Sequence, residues 1–120
     1  MKSDRNYRIY LEDMLSSTEK ALSFTEGLNA DSFADNEEKM YAVIRALEIL
    51  GEAAKHIPLS VRRKYPGVPW QKIAGTRDKL IHAYFDIHSD RLWTTVVNDL
   101  PRLRGELRAI LAGLKKDPPD

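Results

Sequence analysis

An all-α chain folded as an antiparallel bundle of four to five helices is the architecture that three features of the 120-residue sequence predict. Apolar residues recur at three-to-four spacing over four long stretches, no segment alternates strictly as a strand would, and prolines, glycines and Asp/Asn clusters punctuate the gaps. Short connections between long helices then favour antiparallel neighbours.

The first helix is expected to open at Asp4, an N-cap candidate, and to carry Tyr7, Leu11, Met14, Ala21 and Thr25 on one face until Gly27 stops it. The segment NADSFADNEE is rich in Asp and Asn and reads as a connection with a capped turn. Met40, Val43, Ile44, Leu47, Leu50, Ala54 and Ile57 form the second helix's stripe, and Pro58 closes it. The stretch PLSVRRKYPGVP holds three prolines and a glycine, so a loop with one short helical turn around Ser60 to Lys64 is expected. Pro69 is suited to open a third helix, because a proline lacks an N–H that would be unsatisfied there in any case. Trp70, Ile73, Leu80, Ile81, Tyr84 and Phe85 supply that helix's apolar face. Ser89 or Asp90 can cap a fourth, with Trp93, Val96, Val97, Leu100, Leu103, Leu107, Ile110, Leu111 and Leu114 in its pattern. Pro101 falls inside that pattern and should kink or break it near Asp99. Residues 1–120 read as a single domain with a frayed tail from about residue 115.

Composition narrows the chemistry. Cysteine is absent, which excludes disulfides and thiolate metal sites. No apolar run approaches the ~20 residues of a membrane span, so a soluble, cytoplasmic protein is expected. No Gly-rich phosphate loop, HExxH or Cys/His cluster is present, and neither a metal nor a cofactor is expected. Net charge is +1, but its distribution is uneven. Residues 1 to 57 carry 7 Lys+Arg against 11 Asp+Glu, whereas residues 58 to 120 carry 12 against 7. A folded chain can present that asymmetry as a basic face suited to phosphate.

The stretch TRDKLIHAYF, residues 76 to 85, stands out. At 100° per residue Arg77 lies in the third helix's core stripe, where a guanidinium is costly unless it finds an anion. A carboxylate from the second helix, Glu48 or Glu52, would satisfy it, as would snorkelling to the bundle's edge. His82 lies about 140° around the same helix, so one ideal helix does not converge the two side chains. Asp78, at i−4 of His82, can accept its N–H and raise its pKa, which a simple surface pair would do equally well. Tyr84 nearly eclipses Arg77 and can equally be a core aromatic with its hydroxyl at the rim. If Arg77 and His82 are to meet one substrate, a second copy across a two-fold axis is the economical source of the missing group, and a homodimer is expected.

These residues spell R-x-x-x-x-H-x-Y within AGTRDKLIHAYF. With YAVIRALEILGEAAKHIP upstream and VPW between them, the chain resembles the HepT-like branch of the HEPN-domain proteins, from about Tyr7 to Leu111. Thr76 departs mildly from the pattern, since an apolar residue is common there. The resemblance implies an all-helical homodimer acting as a metal-independent endoribonuclease on RNA, the toxin of a type II toxin–antitoxin system. It implies a partner as well, an MNT-type nucleotidyltransferase antitoxin that transfers AMP from ATP to the motif tyrosine. Carried over by position, Arg77 and His82 are the catalytic residues, Asp78 a supporting residue and Tyr84 the site of AMPylation. Glu52 lies in the resembling region and could orient Arg77, while Gly51 could permit close helix packing. The alternatives are a non-catalytic helical module that binds a nucleotide or a nucleotidyltransferase, and a helical dimerisation scaffold.

Overall fold

The computed structural model describes residues 2–81 and 88–116, with side chains over 7–79 and 88–114. The elements are α1 (Lys2–Phe24), α2 (Ala30–Ala34), α3 (Glu37–Lys55), α4 (Leu59–Lys64), α5 (Trp70–Ile81), α6 (Ser89–Thr94), a π-helical turn (Thr95–Asp99) and α7 (Leu100–Lys116). No strand occurs among the described residues. The expected all-α bundle is what forms.

The core is built by the stripes that the periodicity marks. Leu11, Met14 and Ala21 of α1, Val43, Ile44, Leu47, Leu50 and Ala54 of α3, and Leu100, Leu103, Leu107 and Ile110 of α7 are all buried. At ~1.5–3 kcal/mol for each fully buried large aliphatic, this burial is the main force holding the bundle together. α1 lies between α3 and α7, antiparallel to both. Arg8 donates to the Leu114 carbonyl at one end (3.0 Å) while Arg108 pairs with Glu19 toward the other. Likewise Tyr10 stacks on His56, and Lys39 lies over the Phe24 ring. Thr18 and Thr25 are buried polar residues in α1, and each satisfies its hydroxyl by donating to the carbonyl four residues back.

Several local expectations are corrected. α1 begins at Lys2, which puts Asp4 inside the helix rather than at its cap. The NADSFADNEE segment is more than a connection: Asn29 and Ser32 close a reciprocal capping box, α2 follows, and its Phe33 is fully buried against Trp93. Asn36 then caps α3 by accepting from the Lys39 N–H. At α6 the N-cap is His88, with Ser89 already helical.

Pro101 neither breaks nor visibly ends its helix. Its ring would clash with the carbonyl four residues earlier in a regular α-helix, and the preceding turn widens instead. The Leu100 N–H accordingly donates to the Thr95 carbonyl, five residues back. Leu92, Val96 and Leu100 stay on the inner face across this turn, while Val97, expected in the core, is turned out to 44% exposure.

Candidate active site

Arg77 reaches its position through a short chain of local causes. Val68 and Trp70, either side of Pro69, are both buried, and the Trp70 indole N–H donates to the Tyr65 carbonyl at 2.9 Å. That anchors the first turn of α5. Arg62 of α4 donates to the Ala54 and Ile57 carbonyls, capping the C-terminal end of α3 from the side. Two turns beyond Trp70, about 10 Å along the axis, α5 crosses α3 at Gly51. The approach is close enough that a Cβ on Gly51 would stand 2.6 Å from the Arg77 Cβ and 3.0 Å from the Ile73 carbonyl oxygen. Gly51 therefore permits the helix contact, as the sequence suggests, and Arg77 is the residue pressed against it.

With its stem on α3, the Arg77 side chain is about one-third exposed. Its Nε lies 3.1 Å from Glu52 Oε2, and its Nη1 lies 3.4 Å from Asp78 Oδ1. Of the two carboxylates that α3 could offer, Glu52 is used, while Glu48 faces Arg45 at 3.8 Å. Snorkelling and pairing thus both occur. The Nη2 edge bonds to no acceptor among the described residues.

Asp78 has a different partner from the one the i−4 spacing offered. Its Oδ1 accepts from Lys55 Nζ at 2.8 Å. That hydrogen bond, with Lys55 and Arg77 both contributing favourable charge, holds the Asp78 carboxyl below its ordinary value of 3.8. Glu52 is shared in turn, standing 3.6 Å from His56 Nε2 one turn along α3. His56 stacks on Tyr10 of α1 with ring centroids 4.6 Å apart. The result is a polar ladder across three helices: Tyr10, His56, Glu52, Arg77, Asp78 and Lys55. A groove of about 260 Å³, lined in part by Tyr10, Arg45, Glu52, His56 and Arg77, runs alongside it.

Of the residues singled out from sequence, Arg77, Asp78 and Glu52 are brought together. His82 and Tyr84 lie outside the described residues. Lys55, His56 and Tyr10 were not anticipated. The signal for the first two was present in the sequence, since they follow Glu52 by three and four residues and so share its helix face. Among the described residues no group of three His, Cys, Asp or Glu side chains could hold a metal ion, and no helix is long and apolar enough to cross a membrane.

Chemically, the arrangement offers a guanidinium fixed at its stem and at Nε, with a free edge beside a groove. Such a group suits a phosphate, because its planar fork matches two phosphate oxygens.

Comparison with known proteins points the same way. The family model described as ribonuclease HepT-like matches residues 14–110. A Thermococcus cleftensis protein named "Probable ribonuclease HepT" is 42% identical over 106 residues, covering 88% of this chain and 96% of that protein. A Methanocaldococcus jannaschii protein whose name reads "Putative RNase" is 38% identical over 112 residues, covering 93% of this chain and 97% of its own. A Caldanaerobacter subterraneus protein with the same description is 38% identical over 104 residues, 87% of this chain and 93% of that one. No solved structure matches the chain. With four-fifths of its length matched by the family model and near-complete mutual coverage with these relatives, the chain belongs to the HepT-like ribonuclease family.

Proposed function

We propose that this chain is a metal-independent endoribonuclease acting as the toxin of a type II toxin–antitoxin pair, with Arg77 and His82 as its catalytic residues. The observation that carries the proposal is the placement of Arg77: a guanidinium pinned by Gly51 and Glu52, with its remaining edge open beside a groove. Relatives named as ribonucleases, which share most of the chain, support it.

In this scheme His82 takes the proton from an RNA 2′-hydroxyl, and the 2′-oxygen attacks phosphorus. The bond from phosphorus to the 5′-oxygen breaks, leaving a 2′,3′-cyclic phosphate and a 5′-hydroxyl. Arg77 stabilises the charge that builds on the non-bridging oxygens. A second imidazole, His82 of a second copy across a two-fold axis, protonates the departing 5′-oxygen. Homodimerisation is therefore part of the proposal. Glu52 positions Arg77. Asp78, committed to Lys55 and Arg77, supports the site by holding α5 against α3.

Regulation is proposed at Tyr84. An MNT-type nucleotidyltransferase antitoxin transfers AMP from ATP to its hydroxyl, releasing pyrophosphate. The added phosphodiester brings a negative charge and bulk seven residues from Arg77, where they compete with RNA.

A second reading is favoured by one observation: Arg77 already has two carboxylate neighbours, Glu52 and Asp78. A guanidinium so neutralised would serve a non-catalytic module that binds a nucleotide or the nucleotidyltransferase. Incubating purified wild type, Arg77→Ala and His82→Ala with single-stranded RNA in EDTA separates the two. Cleavage by wild type alone is expected. Cleavage that survives both substitutions refutes the mechanism, and none by folded, unmodified wild type favours the binding module. Intact mass after incubation with the antitoxin and ATP should rise by multiples of AMP, and Tyr84→Phe should abolish the gain.

A further inference from the structure

A second cavity, distinct from the Arg77 groove, lies on another face of α5. It encloses about 310 Å³ between α3, α5, the π-helical turn and α7. Its floor is apolar, with Leu47, Leu50, Ile73 and Leu103 among the lining side chains. Its rim is charged in both senses: Lys72 and Arg102 on one count, Asp99 and Glu106 on the other. Among the described residues none of these four makes an ion pair, although salt bridges form elsewhere on the surface wherever opposite charges come within 4.0 Å. Cations and carboxylates that share one concavity without meeting are complementary to a ligand that carries hydrogen-bond donors at one end and an anion at the other.

We infer that this cavity binds one guanosine nucleotide unit, with the base on the apolar floor, its donor edge toward Asp99 and Glu106, and its phosphate at Lys72 and Arg102. The choice of base follows from hydrogen-bonding inventory. A carboxylate only accepts, and guanine alone presents two adjacent donors, N1–H and the N2 amino group, on its Watson–Crick edge. Adenine and cytosine place an acceptor ring nitrogen beside their amino group, and uracil flanks its single N–H with carbonyls. Size agrees as well, because the volume stands at the lower end of the range for small-ligand pockets and has room for one nucleotide. Splayed single-stranded bases are recognised in this way, by an apolar contact on the ring face and hydrogen bonds on its edge.

The cavity's place on an RNA substrate rests on the ribonuclease reading above. Thr76 lines the cavity and directly precedes Arg77. A strand crossing α5 from the cavity to Arg77 spans about one helix diameter, ~10 Å. A guanosine seated here therefore selects which nearby phosphodiester meets Arg77. The π-helical turn contributes Thr95 and Asp99 to the wall, so the widening imposed by Pro101 also shapes this cavity.

Calorimetric titration of the full chain with GMP, AMP, CMP and UMP tests the assignment without requiring turnover. GMP should bind roughly tenfold tighter than the other three, the discrimination of one good bidentate contact. Combining Asp99→Asn with Glu106→Gln should remove that preference, whereas Lys72→Ala with Arg102→Ala should weaken all four nucleotides alike and leave guanosine, which lacks the phosphate, unaffected. These positions are at least partly exposed, so the variants should fold, and circular dichroism verifies that they do. Equal binding of the four nucleotides, no binding, or a GMP preference that survives the carboxylate substitutions overturns the inference. RNA cleavage is scored separately. GMP selectivity without cleavage refutes the ribonuclease reading and keeps the site, while cleavage without GMP selectivity does the reverse.

Discussion

Adding one methyl group at Gly51 perturbs the contact on which Arg77 depends. In Gly51→Ala the new Cβ would stand 2.6 Å from the Arg77 Cβ, 3.0 Å from the Ile73 carbonyl oxygen and 3.2 Å from the Arg77 backbone nitrogen. Ordinary carbon contacts begin near ~3.5 Å, so α5 must back away by about 1 Å. None of the three atoms is the far end of a flexible side chain, and no rotamer change relieves them. Overpacking of this kind costs ~1–3 kcal/mol, against which alanine contributes ~1 kcal/mol of helix propensity. The net loss is then ~0–2 kcal/mol. Gly105→Ala in α7 is the internal control, because nothing lies within 4 Å of its added Cβ and only the propensity gain should appear. Urea denaturation of the two variants should differ by ~1–3 kcal/mol, since the propensity contribution is common to both. RNA cleavage, if it follows the mechanism proposed, should fall by up to ~100-fold in Gly51→Ala from the displaced guanidinium. If Gly51→Ala is stabilised as much as Gly105→Ala, the close approach of α3 and α5 is refuted.

The other consequences are simpler to read. Arg62→Ala removes two guanidinium hydrogen bonds to the Ala54 and Ile57 carbonyls and should cost about 2 kcal/mol in the same denaturation assay; an unchanged midpoint would show that water caps α3 equally well. Lys55→Met should raise the Asp78 pKa, followed by carboxyl-carbon NMR, toward 3.8 by removing the largest cause of its depression. Folding lowers that pKa, so the Lys55 contact favours the native state above pH 3.8 and loses its effect as pH falls through the depressed value. No change in the Lys55→Met titration would refute the pairing. Asn36→Ala should destabilise by about 1 kcal/mol through loss of the cap on α3, again measured by urea midpoint.

Much of the bundle was legible because helical burial repeats on a fixed period. The α3 stripe from Val43 to Ile57 is buried as its spacing requires. Where periodicity misled, a local constraint had changed the period. Val97 fits a 3.6-residue face, but the turn before Pro101 is wider, and the residue rotates out. Phe33 was hidden in a polar, Asp/Asn-rich segment because a single aromatic has no period, yet it is fully buried against Trp93. In the site, Arg77 drew attention as a charge in an apolar stripe, and its pairing with Glu52 follows from the anion it needs. Asp78 was read against its own helix, where His82 is the nearest polar residue four positions on; its observed partner, Lys55, is 23 residues away in sequence.

Sequence by itself determined that the chain is helical, which faces are apolar, which family it joins and that Arg77 is anomalous where it stands. Those properties are local or additive along the chain: period, propensity, motif spacing and the cost of an unpaired charge. Tertiary structure decided which α3 residues meet Arg77 and Asp78, how Pro101 is absorbed, and where a charged cavity opens beside α5. Each of these depends on the relative placement of two helices, set here by a glycine at their crossing and a buried Trp70 at the start of α5. A fraction of an ångström at that crossing separates a seated guanidinium from a displaced one, and no periodicity along a single helix encodes it.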